Sequence, residues 1–497
     1  MLSPSHMARR LQARLDRMPE ERYKYVALGT VSIATFVATM DASIVNISFP
    51  RLTEVFDVPP STILWVSLVF MLVTTGLMLT LGRVGDVYGR KRVFVAGMVI
   101  ITIGLLLCAL AQNVWELVLF RVVQAVGAAM TLATGNAIIT SIFPASERGK
   151  AMGMVGAAVS AGFITGPTVG GIMVDSLGWQ SIFWTRAPVA ALGTLAALIL
   201  LREQRREAAL GFDLPGSAVV FAMLGALLIA VNRGEEAGWS SPLILSLFAG
   251  SAVLAVVFVA RERRALDPVL DLTVFRDRLF SAGNLSLIIM FIGISSYSFL
   301  FPFYLVQGTG RSTSHAGYIM VIVSVTTLLV GPVSGWLSDR IGYRLLTSLG
   351  LAIISLSLYW IAQLGADASL GALFPRLVLL GVGSGLFASP NISSIMGSVR
   401  RDKLGTASAM IATNRNVGQS IGLAMAGAVF TARQEVHMAG LGGAPGAARV
   451  ALVEAFHDAI VVAAVVCAVA ILASVIRGGA QAHAQAEAGG REGAPGG

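Results

Sequence analysis

Only 13% of the 497 residues are charged, against about a quarter in an ordinary soluble domain, while 55% are hydrophobic. That shortage excludes a water-soluble globule, and a mean hydropathy of +0.77 points to a chain that lives in lipid. Cysteine is scarce too: Cys108 and Cys467 both lie within apolar runs, so a disulfide framework is not expected. The histidines stand at positions 6, 315, 437, 457 and 483, with no pair at metal-ligand spacing, so no metal site or hydrolytic cluster is expected. A GxxxxGK[ST] phosphate loop is also missing, which removes the signature of ATP-driven work, and no cofactor is implied. Lys and Arg outnumber Asp and Glu by 36 to 27, a surplus of +9 that would suit a nucleic-acid partner if it were clustered.

What the chain has in abundance is apolar stretches of about 20 residues, the length a helix needs to cross the hydrocarbon core. They fall at 26–49, 61–81, 93–111, 114–142, 150–174, 182–201, 215–232, 242–260, 281–306, 315–337, 346–364, 370–397, 405–431 and 457–476, fourteen in all. Residues 1–25 carry six basic side chains but no cleavage-site pattern, so they read as a cytoplasmic leader and not a signal peptide. With the N-terminus inside, inner segments hold 27 Lys and Arg and outer segments five, namely Arg51, Arg233, Arg311, Arg433 and Arg449. The remaining four, Arg121, Arg186, Arg376 and Arg415, fall within spans or at their edges. This asymmetry places both termini in the cytoplasm and explains the surplus as topology and attraction to anionic lipid, with no nucleic-acid partner. The expected fold class is an all-α integral membrane protein with 14 transmembrane helices, a multi-pass protein of the inner membrane.

The chain also repeats itself. Phe120-Arg121-Val122-Val123 aligns with Pro375-Arg376-Leu377-Val378, and the same offset of 255 brings Asn136 onto Asn391 and Glu147-Arg148 onto Asp402-Lys403. Gly82-Arg-Val-Gly-Asp86-Val-Tyr-Gly89-Arg90 pairs with Gly335-Trp-Leu-Ser-Asp339-Arg-Ile-Gly342-Tyr-Arg344. Residues 26–201 and 281–476 therefore read as two six-helix bundles. Between them, 202–280 is a linker with two extra transmembrane helices, an inserted hairpin, and the Ala-, Gly- and Gln-rich segment 477–497 reads as a disordered cytoplasmic tail.

Four patterns carry chemistry. In Gly82-x-x-x-Asp86-x-x-Gly89-Arg90-Lys91-Arg92 the glycines permit a tight turn, the carboxylate can face a helix N-terminus, and the basic residues hold the loop inside. In the fifth span, Gly153, Gly162, Gly166-Pro167 and Gly170-Gly171 allow close helix approach, and the proline permits a bend, which suits a rocking joint. Asp41 is the one acid placed well inside an expected span, where insertion costs about 2.5–3.5 kcal/mol, so it should face a cavity or a partner and exchange a proton. Arg121, a permanent cation in the fourth span, can act on a nearby carboxylate, and for Asp41 a static ion pair with a buried Arg is the simpler alternative. Arg415 and Gln419, one turn apart, and the matched pair Asn136 and Asn391 read equally as a structural network or a cavity wall. Tyr297, Phe299, Phe301, Phe303 and Tyr304 read first as packing and second as an aromatic wall for a lipophilic guest.

The Gly82 loop with its copy, the glycine-proline pattern and Met40-Asp41-Ala-Ser-Ile-Val45-Asn46-Ile-Ser-Phe-Pro50 resemble the signatures of the major facilitator superfamily, over residues 26–476. Within it the chain is most similar to the fourteen-span drug:proton antiporters, and Arg121-Val-Val-Gln124-Ala-Val-Gly127 resembles their proton-coupling motif. Val87 and Ala125 depart from the usual basic residue and the usual glycine. The resemblance implies export of lipophilic drugs or antibiotics in exchange for protons, by alternating access, in a protein that is not an enzyme and works as a monomer in lipid. It implies proton coupling by Asp41 and Arg121, and a substrate site formed by Asp41, Asn46, Gln124, Asn136, Tyr297, Tyr304, Asn391 and Arg415. Gly82, Asp86, Gly89, Arg90, Gly162, Gly166, Pro167, Gly170, Gly171 and Asp339 would serve gating. With one deep acid in view, neutral or weakly basic substrates are expected. The alternative is a dedicated exporter of one metabolite, such as an antibiotic, siderophore or amino acid; a transport-dead receptor or scaffold is more remote.

Overall fold

The computed structural model describes residues 19–144, 147–203, 214–263, 272–399, 404–441 and 446–475. The leader reading for 1–18 and the tail reading for 477–497 lie outside the described residues, as do 204–213 of the linker. Every regular element in the described residues is helical, as expected where lipid leaves backbone groups no other partner.

In chain order the helices are α1 (Glu20–Phe56), α2 (Pro60–Ile63), α3 (Trp65–Tyr88), α4 (Arg90–Ala109), α5 (Val114–Ile142), α6 (Arg148–Leu177), α7 (Ser181–Trp184) and α8 (Arg186–Leu200). Then follow α9 (Leu214–Ala237), α10 (Pro242–Glu262), α11 (Arg278–Phe303), α12 (Thr313–Ile341), α13 (Tyr343–Ala362), α14 (Leu370–Gly397), α15 (Leu404–Gly440) and α16 (Ala447–Val475). Twelve helical stretches among the described residues are long and apolar enough to cross a membrane. The two expected spans outside that number are α9, with a shorter apolar stretch at Ala218–Val231, and α15, which carries Asn414, Arg415, Asn416 and Gln419 in its middle.

Helix ends explain the sharp turns. Asn113, Asp277, Ser312 and Ser369 each accept a backbone N–H three residues on, supplying the bond that a helix start lacks. Gly89 and Gly342, matched positions of the repeat, both have positive φ (106° and 84°), which lets α3 turn straight into α4 and α12 into α13. We call the end carrying these two turns the basic end.

Packing follows the repeat. In the first half α1 lies on α6, α5 on α3 and α4, and α4 on α8; in the second, α11 lies on α15 and α16, and α14 on α12 and α13. The halves meet where α12 lies on α6, α15 on α3 and α11 on α1. The α9–α10 hairpin joins this seam from outside: α9 touches both α3 and α15, and Ser251 Oγ ties α10 to the Met223 carbonyl at 3.0 Å.

One expectation needs correction. The last helix starts at Ala447, ten residues before the apolar run at 457, because Ala447–Val453 is apolar apart from Arg449. Asp458 therefore also lies inside a span, so Asp41 is not the one deep acid.

Candidate functional site

Three helices of the first half converge on one carboxylate. Asp41 comes from the middle of α1, Arg121 from the second turn of α5 and Arg186 from the first residue of α8. Arg121 Nη1 reaches Asp41 Oδ2 at 2.5 Å and Arg186 Nη1 reaches Asp41 Oδ1 at 2.5 Å. Gln124, one turn beyond Arg121, donates to Asp41 Oδ1 at 3.0 Å and accepts from Arg121 Nη1 at 2.8 Å. Arg121 Nε is satisfied by the Val66 carbonyl at 3.1 Å, its plane lies 4.3 Å from the Phe70 ring centroid, and Arg186 Nε donates to the Ile182 carbonyl. All three charged side chains are at most 4% exposed.

Burial of ions is costly unless they are paired and hydrogen-bonded, and this cluster meets both conditions except at Arg186 Nη2, which is buried without a hydrogen-bond partner among the described residues. Two guanidiniums on one carboxylate nevertheless leave one surplus positive charge. A proton on Asp41 would leave Arg121 and Arg186 facing each other with no anion between them, and like charges at this range in a dry interior repel strongly. The arrangement is therefore stable with Asp41 ionised and must reorganise when it is not.

A second set of contacts joins the halves at the end away from Gly89 and Gly342. Asn46 Nδ2 donates to Ser298 Oγ at 3.2 Å, and Gln307 Nε2 donates to the Pro50 carbonyl at 3.3 Å. Asp175, in the last turn of α6, accepts from Thr313 N at 3.2 Å, Ser314 N at 2.7 Å and Ser314 Oγ at 2.6 Å, and so caps the start of α12 across the seam. Backbones approach closely here. A Cβ on Gly171 would collide with the Thr313 and Ser314 backbone, and one on Gly317 with the Pro167 carbonyl. Lower on α6, Gly162, Gly166 and Gly170 meet α1 at Met40, Ser43 and Ile44, next to Asp41. Ser43 Oγ donates to the Gly162 carbonyl at 3.1 Å.

The other residues singled out from sequence are dispersed. Gln124 belongs to the charge cluster and Asn46 to the seam. Tyr304 is buried in a stack with Phe301 and Phe456, and its hydroxyl donates to the Gly365 carbonyl at 2.7 Å, while Tyr297 packs on Phe301. Asn391 is buried and ties α14 to α11 through the Gly283 carbonyl at 3.2 Å. Asn136 and Arg415 are half-buried and hold no described side-chain partner. At the basic end, Arg90 Nη1 donates to the Ala137 carbonyl at 2.9 Å and so anchors the α3–α4 turn to α5. Gly82 lies beside Ala133. The side chains of Asp86 and Asp339 lie outside the described set, though both residues sit in the last turn of their helices.

Two contributors escaped the sequence reading. Arg186 is counted from sequence among the four cations within or at the edges of spans but given no role, although a lone cation inside the apolar stretch 182–201 is the available signal. Asp175 stands at the end of a helix, where nothing in sequence reveals that the N-terminus of α12 lies opposite.

Residues 31–423 match the family model described as Major Facilitator Superfamily. The chain is 34% identical to the riboflavin transporter RibZ of Clostridioides difficile, an alignment covering 82% of this chain and 89% of that protein. It is 31% identical to the multidrug resistance protein Stp of Mycobacterium tuberculosis, over 83% of this chain and 76% of that protein. Among solved structures, a bacterial homolog of the human lysosomal transporter Spinster, in an inward-facing and unoccupied conformation, superimposes with a TM-score of 0.68 at 18% identity, covering 92% of this chain and 97% of that one.

Proposed function

The chain belongs to the Major Facilitator Superfamily of multi-pass membrane transporters, and on that premise we propose that it exports lipophilic drugs or antibiotics across the cytoplasmic membrane in exchange for protons. The observation that carries the coupling is Asp41 held between Arg121 and Arg186. The kinship with a multidrug resistance protein supports the substrate class.

The proposed cycle starts from the geometry described, with the seam closed at the outer end and the basic end cytoplasmic. Substrate enters from the cytoplasm while Asp41 is ionised and clamped. Opening of the outer seam requires release of Asp175 from α12 and separation of Gly171 and Gly317 from their neighbours. A proton then reaches Asp41, the two guanidiniums lose their common anion, and α1, α5 and α8 must shift relative to one another. Because α1 meets Gly162, Gly166 and Gly170 of α6, and α6 carries the seam, this shift is transmitted to the joint between the halves. In this reading all fourteen long helices span the membrane and both termini are cytoplasmic. The cycle needs one proton at least: about 100 mV and one pH unit supply roughly 3.7 kcal/mol, enough for about a 500-fold gradient of a neutral substrate.

A second reading, a dedicated exporter of one metabolite, is supported by the likeness to a riboflavin transporter over most of both chains. One experiment separates the two. In inverted vesicles energised by a pH gradient, several unrelated lipophilic drugs should each trigger proton release from wild type and none from Asp41→Asn. Response to a single compound favours the dedicated exporter, and proton flux that survives in Asp41→Asn removes Asp41 from the coupling step.

A further inference from the structure

The two arginines on Asp41 are bonded alike to the carboxylate and unlike to everything else. Arg121 is tied to two further helices: Nε donates to the Val66 carbonyl of α3, the guanidinium lies over the Phe70 ring of α3, and Nη1 also donates to Gln124 of α5. Gln124 is itself wedged against Gly104 of α4, where a Cβ would meet its backbone at 2.8 Å. Arg186 has less to hold it. Beyond Asp41 its one described hydrogen bond goes to the Ile182 carbonyl, a turn back along its own segment, and Phe183, the ring 5.6 Å away, belongs to that same segment. Its Nη2 is buried with no partner among the described residues. Once the shared anion is neutralised the two guanidiniums repel each other, and the one with no tie to another helix is the one that moves.

Arg186 stands at a corner of the chain. Helix α7 ends at Trp184 and α8 begins at Arg186, and Pro188 has no N–H to give the Trp184 carbonyl, so the ladder of backbone bonds is interrupted there. Helix α7 is in turn tied to the outer end of α6. Ser181 Oγ donates to the Met173 carbonyl at 2.9 Å, and Thr185 Oγ1 lies 3.3 Å from Met173 Sδ. Met173 stands between Gly171, which meets the α12 backbone, and Asp175, which caps α12. A continuous set of contacts thus runs from Asp41 through Arg186 and α7 to the seam, whereas the partners of Arg121 lie on α1, α3 and α5.

We infer that Arg186 is the positioning residue that carries the charge state of Asp41 to the outer seam. A proton on Asp41 frees Arg186 while Arg121 and Gln124 keep their places, and the α7–α8 corner then shifts the end of α6 that holds α12. The inference deepens the exporter reading, on which it rests for the proton at Asp41, by naming the side chain that leaves and its path to the joint. A shorter path, from α1 to Gly162, Gly166 and Gly170 of α6, bypasses Arg186, so the two routes can be told apart. The remaining groups around Asp41 do not compete for the role. Helix α6 brings glycines to this point, and α4 brings Cys108, whose Sγ lies 3.8 Å from Gln124 Oε1 on the Arg121 side of the cluster.

The test reads the seam with nitroxide labels at Leu177→Cys on α6 and Tyr318→Cys on α12, two exposed positions, in purified full-length protein. Cys108 and Cys467 are buried and stay unlabelled. Asp41→Asn keeps the shape of the protonated acid without a charge. By double electron–electron resonance it should change the ratio of closed to open seam distances at least about fivefold. With Arg186→Gln already present, Asp41→Asn should change that ratio by less than about twofold, below the usual range of coupling between sites. Arg186→Lys should restore part of the response. In an Arg121→Gln background the full response should remain, and Gln124→Ala is the second control where Arg121→Gln does not fold. The inference is overturned by a seam that ignores Asp41→Asn, by a response that survives Arg186→Gln, or by one lost equally with Arg121→Gln. Inverted vesicles keep this inference apart from the exporter reading. Drugs that trigger proton release from wild type, with a seam response blind to Arg186, leave the exporter standing and remove this route. A seam response that depends on Arg186, with no drug releasing protons, keeps the route and removes the exporter.

Discussion

The two halves share a repeat but are held together by different chemistry, most visibly at the matched positions Arg121 and Arg376. Arg121 is buried and grips Asp41, with Gln124 and Arg186 completing the cluster. Arg376 donates to the Trp360 and Ala372 carbonyls and lies 4.5 Å from the Trp360 ring centroid, with no ion pair among the described residues. The second half relies on stacked rings, Tyr304 between Phe301 and Phe456, on Asn391 and Asn414 bonded to α11, and on the partly exposed cluster of Arg433 and His437 with Asp458. A duplicated scaffold can thus preserve backbone turns while the arginine at the matched position holds a buried carboxylate in the first half and backbone carbonyls in the second.

The largest expected effect strikes the half that depends on charge. Asp41→Ala leaves two buried guanidiniums unpaired and should cost about 3–5 kcal/mol of stability. Adding Arg186→Gln should recover a substantial part, read as the melting temperature of the detergent-purified protein. A double variant no more stable than the single one would mean that the charges do not hold this half together.

The seam is where the halves behave alike, so its variants should respond in parallel. Gly171→Leu and Gly317→Leu each place a side chain where backbone already stands, so both should abolish transport and lower the melting temperature by similar amounts. If one is silent and the other inactive, the seam closes on one contact and not two. The smallest effect belongs to the second half: Tyr304→Phe removes one hydrogen bond to the Gly365 carbonyl and should cost about 1 kcal/mol, with transport rates unchanged. A Tyr304→Phe protein that loses drug transport at full stability would place that hydroxyl at the substrate.

Much of this was legible beforehand because it follows from cost. A carboxylate in an apolar run demands a cavity or a partner, so a partner for Asp41 could be expected from sequence, whereas the choice of Arg121 came from the family resemblance. Glycines at 89 and 342 demanded turns, and both turns exist. The rotation of each helix about its own axis was not legible. Whether Tyr304 faces the centre or α16 depends on a few tens of degrees, and apolar surroundings on all sides leave no periodicity to read. Asp458 was misjudged for a different reason: Arg449 and Glu454 broke the apolar run and moved the apparent helix start to 457, so that Asp458 stood at the edge of the expected span and not inside it.

The α9–α10 hairpin has a consequence of parity. A short connection between Ala237 and Pro242 makes the two helices run out and back, so the chain leaves the pair at the end where it entered. The second half therefore starts from the same end, and runs in the same direction, as it would with no insertion. An addition of one helix, or of three, would turn that half upside down, carrying the α12–α13 turn to the end opposite the α3–α4 turn. Growth at this point of the chain is restricted to even numbers.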